Sequence, residues 1–364
     1  MISSIRNYET SIPLTRTDPV QTWTNHWGFQ LYTRVESEKH VGWGQTLASC
    51  SNLVIPYSSL IERIAETLVG DEITDVEQEW KKMRRMTFTG GYGIPTAAIS
   101  SIDTALWDIK AKSRGISLSG YLGGSAKKIK RYVSLSRYER TEDLVKVIRT
   151  LVDSDYKLIK IHQPYEKTIE AVESIRSAAG YDFGLCVDLN AAFDVENATQ
   201  FANKIAKFEL EWIEEPIWPP DDFEALSKIN KIIPVAAGEN AFSLYEFKRL
   251  IELDALTYYQ PDIAKVGGVT PSLEIFHLID HNNLKLVPHS RPDNGWLSTI
   301  ATIQILSGLN IDGIVETPPN AVPEDYFYFK GEVDANGIKS EGLGIGIEPV
   351  LPLPAMVRPN ILHF

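Results

Sequence analysis

Seven residues able to bind a cation or move a proton recur between Lys160 and Glu316: Lys160, Asp188, Glu214, Glu239, Asp262, His289 and Glu316. Subtracting successive numbers gives intervals of 28, 26, 25, 23, 27 and 27 residues. Three of the seven, Asp188, Glu214 and Glu239, are carboxylates. In one cavity they would repel and raise one another's proton affinity unless a cation neutralised them. Ligands that are all oxygen select a hard ion such as Mg²⁺ over zinc, and leave positions on an octahedral ion for a bidentate substrate. Glu215 adjoins Glu214, but strand alternation turns it away, which leaves Glu214 as the ligand unless Pro216 distorts the strand end. Asp262 beside His289 would fix the imidazole tautomer and support its charged form, suiting His289 to take or deliver a proton. Glu316, if protonated, would donate a hydrogen bond to a developing oxyanion.

The elements that must carry these groups can be read from the same stretch. Runs of strand type occupy residues 131–136, 158–162, 183–188, 210–214, 233–238, 255–260, 285–288 and 313–316. Seven helical patterns lie between them, among them residues 142–152, 169–179, 195–208 and 297–309. Strand and helix in alternation predict an α/β fold, a parallel (β/α)7β barrel of the TIM type. A doubly wound sheet is the alternative, but no GxGxxG turn supports it. Every strand after the first ends on or beside one of the seven residues. That places all seven around one mouth, the face on which such barrels carry their active sites. A lone Asp or Glu after a strand is more often a helix N-cap, whereas seven in phase are not explained that way. Alternation also puts Lys160 and His162 on one face and Ile159 and Ile161 on the other, and pairs Asp188 with Asn190.

Residues 1–125 follow another grammar. Alternating runs at 29–36 and 41–47 suggest an antiparallel meander, followed by helical patterns at 57–68, 76–86 and 95–114. An α+β domain is expected there, then the barrel over 126–330 and a closing segment over 331–364. The 364 residues exceed the roughly 250 of a bare barrel and leave room for both additions. With 36 basic and 48 acidic residues the net charge is −12, which gives no footprint for duplex nucleic acid. No stretch approaches the roughly 20 apolar residues of a membrane span, and the first residues lack the apolar core of a signal peptide. Cys50 and Cys186 are too few for a disulfide framework and read as buried thiols in a reducing cytoplasm.

Six stretches resemble one known family. They are residues 97–112, Val187-Asp188-Leu189-Asn190, Trp212-Ile213-Glu214-Glu215-Pro216, Ala237-Gly238-Glu239-Asn240, residues 260–268 and Pro288-His289-Ser290. In this order they resemble the enolase superfamily, in its mandelate racemase-like branch. The resemblance implies that residues 1–125 cap the barrel, with mobile loops near 14–27 and 49–57, and that residues 331–364 pack back on the cap. It implies Mg²⁺ on Asp188, Glu214 and Glu239, His289 with Asp262 as the base, Lys160 beside the substrate carboxylate and Glu316 on the enediolate oxygen. The lactonising and dipeptide-epimerising branch places a catalytic lysine where this chain has Asp262, which favours the racemase and acid-sugar-dehydratase side. One departure stands out. The family carries Lys-x-Lys where this chain has Lys160-Ile161-His162, and imidazole brings different reach and charge to the second face.

The expected function is therefore Mg²⁺-dependent removal of the proton α to a carboxylate, in a dehydration that turns a sugar acid into a 2-keto-3-deoxy acid. The alternatives are a racemase or epimerase, or a sugar-lactone cycloisomerase, using the same site. The expected partner is a small hydroxy-carboxylate, with neither nucleic acid nor membrane, and the family resemblance implies a homo-oligomer. Asn25, His26, Trp27, Tyr57, Arg291 and Asn294 are candidate specificity contacts.

Overall fold

A small antiparallel sheet and the helices that follow it build the first layer. In the computed structural model, which describes residues 1–11, 29–46, 51–291, 295–319 and 322–355, three antiparallel strands stand in the order β1 (Ile2–Ser11), β2 (Phe29–Ser37) and β3 (Val41–Thr46). The expected contacts Asn25, His26, Trp27 and Asn294, the loop over 14–27, Leu47 and Cys50 lie outside the described residues. Helices α1 (Ser51–Leu68), α2 (Val76–Thr87), α3 (Ile94–Ser113) and the single turn α4 (Leu118–Tyr121) follow. Helix α3 is buried along nearly its whole length, because the sheet covers one side and the barrel the other. Gly42 and Gly44 permit the close approach of β3: a Cβ at either would run into the carbonyl oxygen of Ala105 or Ser101 on α3.

The second layer is the barrel. Its strands are β4 (Lys130–Ser134), β5 (Leu158–Ile161), β6 (Gly184–Asp188), β7 (Trp212–Glu214), β8 (Val235–Ala237), β9 (Tyr258–Tyr259), β10 (Lys285–Leu286) and β11 (Ile314–Thr317). All eight coincide with the expected runs, and neighbours pair in parallel from β10 through β4 to β11. The ring is closed everywhere except between β10 and β11, which share no ladder among the described residues. Helices α5 (Thr141–Asp153), α6 (Tyr165–Ala179), α7 (Val195–Ile205), α8 (Phe223–Asn230) and α9 (Leu244–Glu252) cover the outside. Between β9 and β10 the chain forms two helices rather than one, the single turn α10 (Ile263–Val266) and then α11 (Val269–His281). Helix α12 (Trp296–Leu309) precedes the last strand.

Strand alternation sorts the barrel residues as the sequence suggests. Ile159, Ile161, Val187 and Ile213 belong to the large core shared with the helices. Tyr132, Cys186, Trp212, Ala236, Tyr258 and Val287 form a separate apolar cluster inside the ring. The register aligns Lys160 with Cys186, Cys186 with Trp212 and Asp188 with Glu214, so Lys160 stands level with this floor and the two carboxylates lie one pleat above it.

Strands β12 (Phe327–Phe329) and β15 (Ile347–Pro349) pair with each other, and β13 (Gly331–Asp334) and β14 (Gly337–Ser340) form a hairpin. This segment touches both layers. Ile338 bridges to Ile129 just before β4, while Ile345 N donates 2.8 Å to Asp108 of α3 and Thr10 bridges to Ala355. Among the described residues no helix is long and apolar enough to cross a membrane.

Candidate active site

Each barrel strand after β4 delivers one of the seven side chains, near its end or within a few residues past it. Asp188, Glu214 and Glu239, from β6, β7 and the turn after β8, each present one ligand oxygen within 4.8 Å of the others. Three oxygen donors at this separation fit a hard divalent cation. Glu214 is the member of the triad, not Glu215. Glu215 adopts a left-handed φ of 41° and turns aside, its Oε2 accepting 2.9 Å from Asn240 Nδ2. Burial pushes the Glu215 carboxyl up to about 8.

Lys160 is fully buried and pairs with Glu214 at 2.5 Å and Glu316 at 2.8 Å, with Asp188 at 3.6 Å. Burial opposes its charge, but these carboxylates prevail and hold the ammonium well above its ordinary range. Asp188 responds in kind. Burial alone would raise its carboxyl, yet Lys160 and His162 bring it down to about 2.

Two imidazoles approach the triad from different strands. His289 Nδ1 lies 2.7 Å from Asp262 Oδ2, and its Nε2 lies 3.0 Å from Glu239 Oε2. Burial works against a charged imidazole here, but Glu239, Asp262 and Glu316 hold it well above the ordinary histidine range. Asp262 also caps α10, its Oδ1 accepting 2.7 Å from Ala264 N. On the other side His162 Nδ1 stands 2.6 Å from the Leu135 carbonyl oxygen. A carbonyl accepts only, so Nδ1 carries the proton and Nε2 faces Asp188 Oδ2 at 3.1 Å.

Two expectations are revised. Glu316, expected to donate if protonated, is held below the usual carboxylate range: burial favours its neutral form, but Lys160 and His289 outweigh that. It is therefore an acceptor here, and it takes a hydrogen bond from Ser290 N at 3.3 Å. Asn190 does not continue the row of Asp188. The strand ends at Asp188, Asn190 turns outward with φ 45°, and only its backbone N–H, 2.8 Å from Asp188 Oδ1, serves the site. Its side chain lines a neighbouring cavity of about 650 Å³ with Glu215, Trp218, Asp221, Glu239 and Asn240. Tyr57 and Arg291 are both buried.

Several residues at the site do not fall on the phased positions. Gln260 Nε2 donates 2.7 Å and Trp212 Nε1 3.1 Å to Glu214 Oε2. Lys265 of α10 lies 3.0 Å from Glu239 Oε1. Arg137 Nε donates 2.8 Å to the His162 carbonyl. The alternation rule would have found Gln260, two residues before Asp262, and Trp212, two residues before Glu214 on β7; Lys265 and Arg137 have no periodic signal.

The comparisons with known proteins agree with this fold. Residues 10–123 match the mandelate racemase / muconate lactonizing enzyme N-terminal domain, and residues 143–351 the enolase C-terminal domain-like family. The chain is 30% identical to the arabinonate dehydratase of Saccharolobus solfataricus over 289 residues, 76% of each protein. It is 33% identical to the L-talarate/galactarate dehydratase of Salmonella typhimurium over 237 residues, 63% of this chain and 59% of that protein. A solved structure of L-talarate/galactarate dehydratase from strain LT2, liganded with Mg and L-lyxarohydroxamate, shares the fold with a TM-score of 0.81 at 24% identity, covering 96% of this chain and 91% of that one. The 3,6-anhydro-D-galactonate cycloisomerase from Zobellia galactanivorans superposes with a TM-score of 0.83 at 27% identity over 96% of both chains.

Proposed function

This chain belongs to the mandelate racemase and muconate lactonising enzyme family of the enolase superfamily, and from that premise we propose that it is a Mg²⁺-dependent hydro-lyase dehydrating a sugar acid. The observation that carries the reading is the Asp262–His289 pair at 2.7 Å, aimed at a triad of carboxylates with Lys160 among them. Asp188, Glu214 and Glu239 would hold Mg²⁺, which takes up negative charge growing on the substrate carboxylate.

The protein's own groups divide the work. With a cation held on Glu239, His289 would lose the partner that holds its Nε2 proton and would face the mouth as a free base. Asp262 keeps Nδ1 protonated, so Nε2 is the atom that takes the α-proton. Lys160 stabilises the enediolate that results, the kind of preorganised charge that usually contributes most to catalysis. His289 then returns its proton to the departing 3-hydroxyl. Water leaves with the α-hydrogen and that hydroxyl, and the enol product rearranges to the 2-keto-3-deoxy acid. The dehydratases of Saccharolobus and Salmonella support this outcome.

A second outcome has its own observation. His162 Nε2 stands 3.1 Å from Asp188 on β5's side of the ring, away from His289, so a second imidazole is available for proton transfer on the other face. That arrangement suits racemisation, epimerisation or the cycloisomerisation named for the Zobellia neighbour. Incubating the protein with Mg²⁺ and a library of sugar acids in D₂O separates the two. The expected result is a 2-keto product. Deuterium gained at C2 with no 2-keto product would overturn the dehydratase reading.

A further inference from the structure

Four side chains of the N-terminal cap converge on one short link of the barrel, residues 267–270. Trp80 of α2 donates from Nε1 to the Gly267 carbonyl oxygen at 2.9 Å. Ser100 Oγ of α3 accepts from Gly267 N at 2.9 Å. Asp103 accepts from the backbone N–H and the hydroxyl of Thr270, at 2.9 and 2.6 Å, and Trp107 Nε1 donates to that hydroxyl oxygen at 2.9 Å. Ser100, Asp103 and Trp107 are buried, and Trp80 is partly so. The link has no room for a side chain at its two glycines. Gly267 and Gly268 take left-handed φ values of 115° and 99°, and a Cβ would meet the Trp80 ring at the first and the Asp103 carboxylate at the second.

This link closes α10, and α10 carries two side chains into the site. Asp262 at its N-terminus holds His289 Nδ1 at 2.7 Å, and Lys265 reaches Glu239 at 3.0 Å. A helix of four residues does not hold itself together, because nucleation is unfavourable and so few hydrogen bonds do not offset it. The end of β9 fixes its entry, where His289 N donates to the Pro261 carbonyl oxygen at 3.2 Å. At its exit, the two side chains bonded to Gly267 among the described residues both come from the cap. The aim of the Asp262 carboxylate depends on that exit. Its Oδ1 accepts from Ala264 N inside α10, so the lie of the turn sets where Oδ2 points. We infer that the seated cap aims the Asp262–His289 pair, and that Trp80 is a positioning residue acting through Gly267 and α10. The kinetic side of this inference rests on the proposed reaction; the geometric side does not.

Trp80→Phe keeps an aromatic ring and removes its N–H. In the proton spectrum of the wild-type protein, the Nδ1 proton between His289 and Asp262 should give a far-downfield line, which the variant should broaden or shift upfield. Amide exchange read by mass spectrometry should quicken about five- to tenfold over residues 263–268 and stay unchanged in the barrel strands. With a sugar acid that the wild-type chain dehydrates, kcat should fall about tenfold or more at little-changed KM. The isotope effect of deuterium at the α-carbon should rise, since removal of that proton slows while the other steps do not. Ser100→Ala, which removes the acceptor of Gly267 N, should give the same changes and serves if Trp80→Phe does not fold. A folded Trp80→Phe or Ser100→Ala that keeps the wild-type downfield line and local exchange would overturn the inference. If the wild-type chain turns over no sugar acid, the proposed reaction falls, and the line and the exchange still decide whether the cap aims the pair.

Discussion

Asp262 has two oxygens and uses both, Oδ1 to cap α10 and Oδ2 to hold His289. One side chain thus both caps a helix and holds a histidine. Asp262→Asn should therefore separate the two roles. An amide still accepts from Ala264 N, so the melting temperature should change by little. Its NH₂ cannot accept the Nδ1–H of His289, and kcat should fall by about 10²–10⁴. Glu316 makes a second prediction. A substrate carboxylate arriving beside Lys160 sets like charge against Glu316 and favours its protonation. Calorimetry of sugar-acid binding in buffers of different ionisation enthalpy should show proton uptake, and Glu316→Gln should abolish it. At this scale the sequence was readable wherever a residue occupied the repeating strand-end position. Lys265 and Asn240 escaped because each sits one to three residues past such a position, and only the path of the turn brings it to Glu239.

Helix α3 joins cap to barrel through specific contacts. Thr270, at the start of α11, donates from its backbone N–H to Asp103 Oδ2 at 2.9 Å and from its hydroxyl to Oδ1 at 2.6 Å. Burial pushes the Asp103 carboxyl up to about 7 even so. A carboxyl raised this way is protonated in the folded chain at pH values where the unfolded chain has already lost the proton. Its contribution is full below about pH 4 and is lost as pH rises to 7, by roughly 1.4 kcal/mol per unit. The stability difference between wild type and Asp103→Asn, followed by denaturant unfolding, should show that slope over pH 4–7. The sheet side of α3 is equally exacting. Gly44→Ala forces a methyl group into the Ser101 carbonyl and should cost about 1–3 kcal/mol or more, read as a lower melting temperature. The barrel strands were legible because each is a short apolar run closed by a polar group. Their ends were not: β9 and β10 pair over two residues each, fewer than their apolar runs suggest, since ladder pairing depends on the neighbour. Strand β1 was missed altogether, because its apolar residues follow no clean alternation and its register slips between Ile2 and Ser4.

For the whole molecule the net charge is −12, and three of its carboxylates meet at the mouth, where they could hold a cation. A cation that binds only the folded chain stabilises it by mass action, by about 2.7 kcal/mol at a hundred times its dissociation constant. Mg²⁺ should raise the melting temperature of the stripped wild-type chain, and Glu239→Gln should remove most of that rise. The order of the layers, cap then barrel then closing segment, follows the change of grammar along the chain. How tightly the closing segment grips both layers, through Ile338 and Ile345, could not be read from residues that show no period. The gap in the ring lies between β10 and β11, whose ends lead to His289 and Glu316. Among the described residues no ladder joins these strands, and Ser290 N to Glu316 and the His289–Glu316 side chains link their ends across the gap. The barrel is thus a split collar: seven seams are laddered, and the slit falls between the two strands that lead to His289 and Glu316.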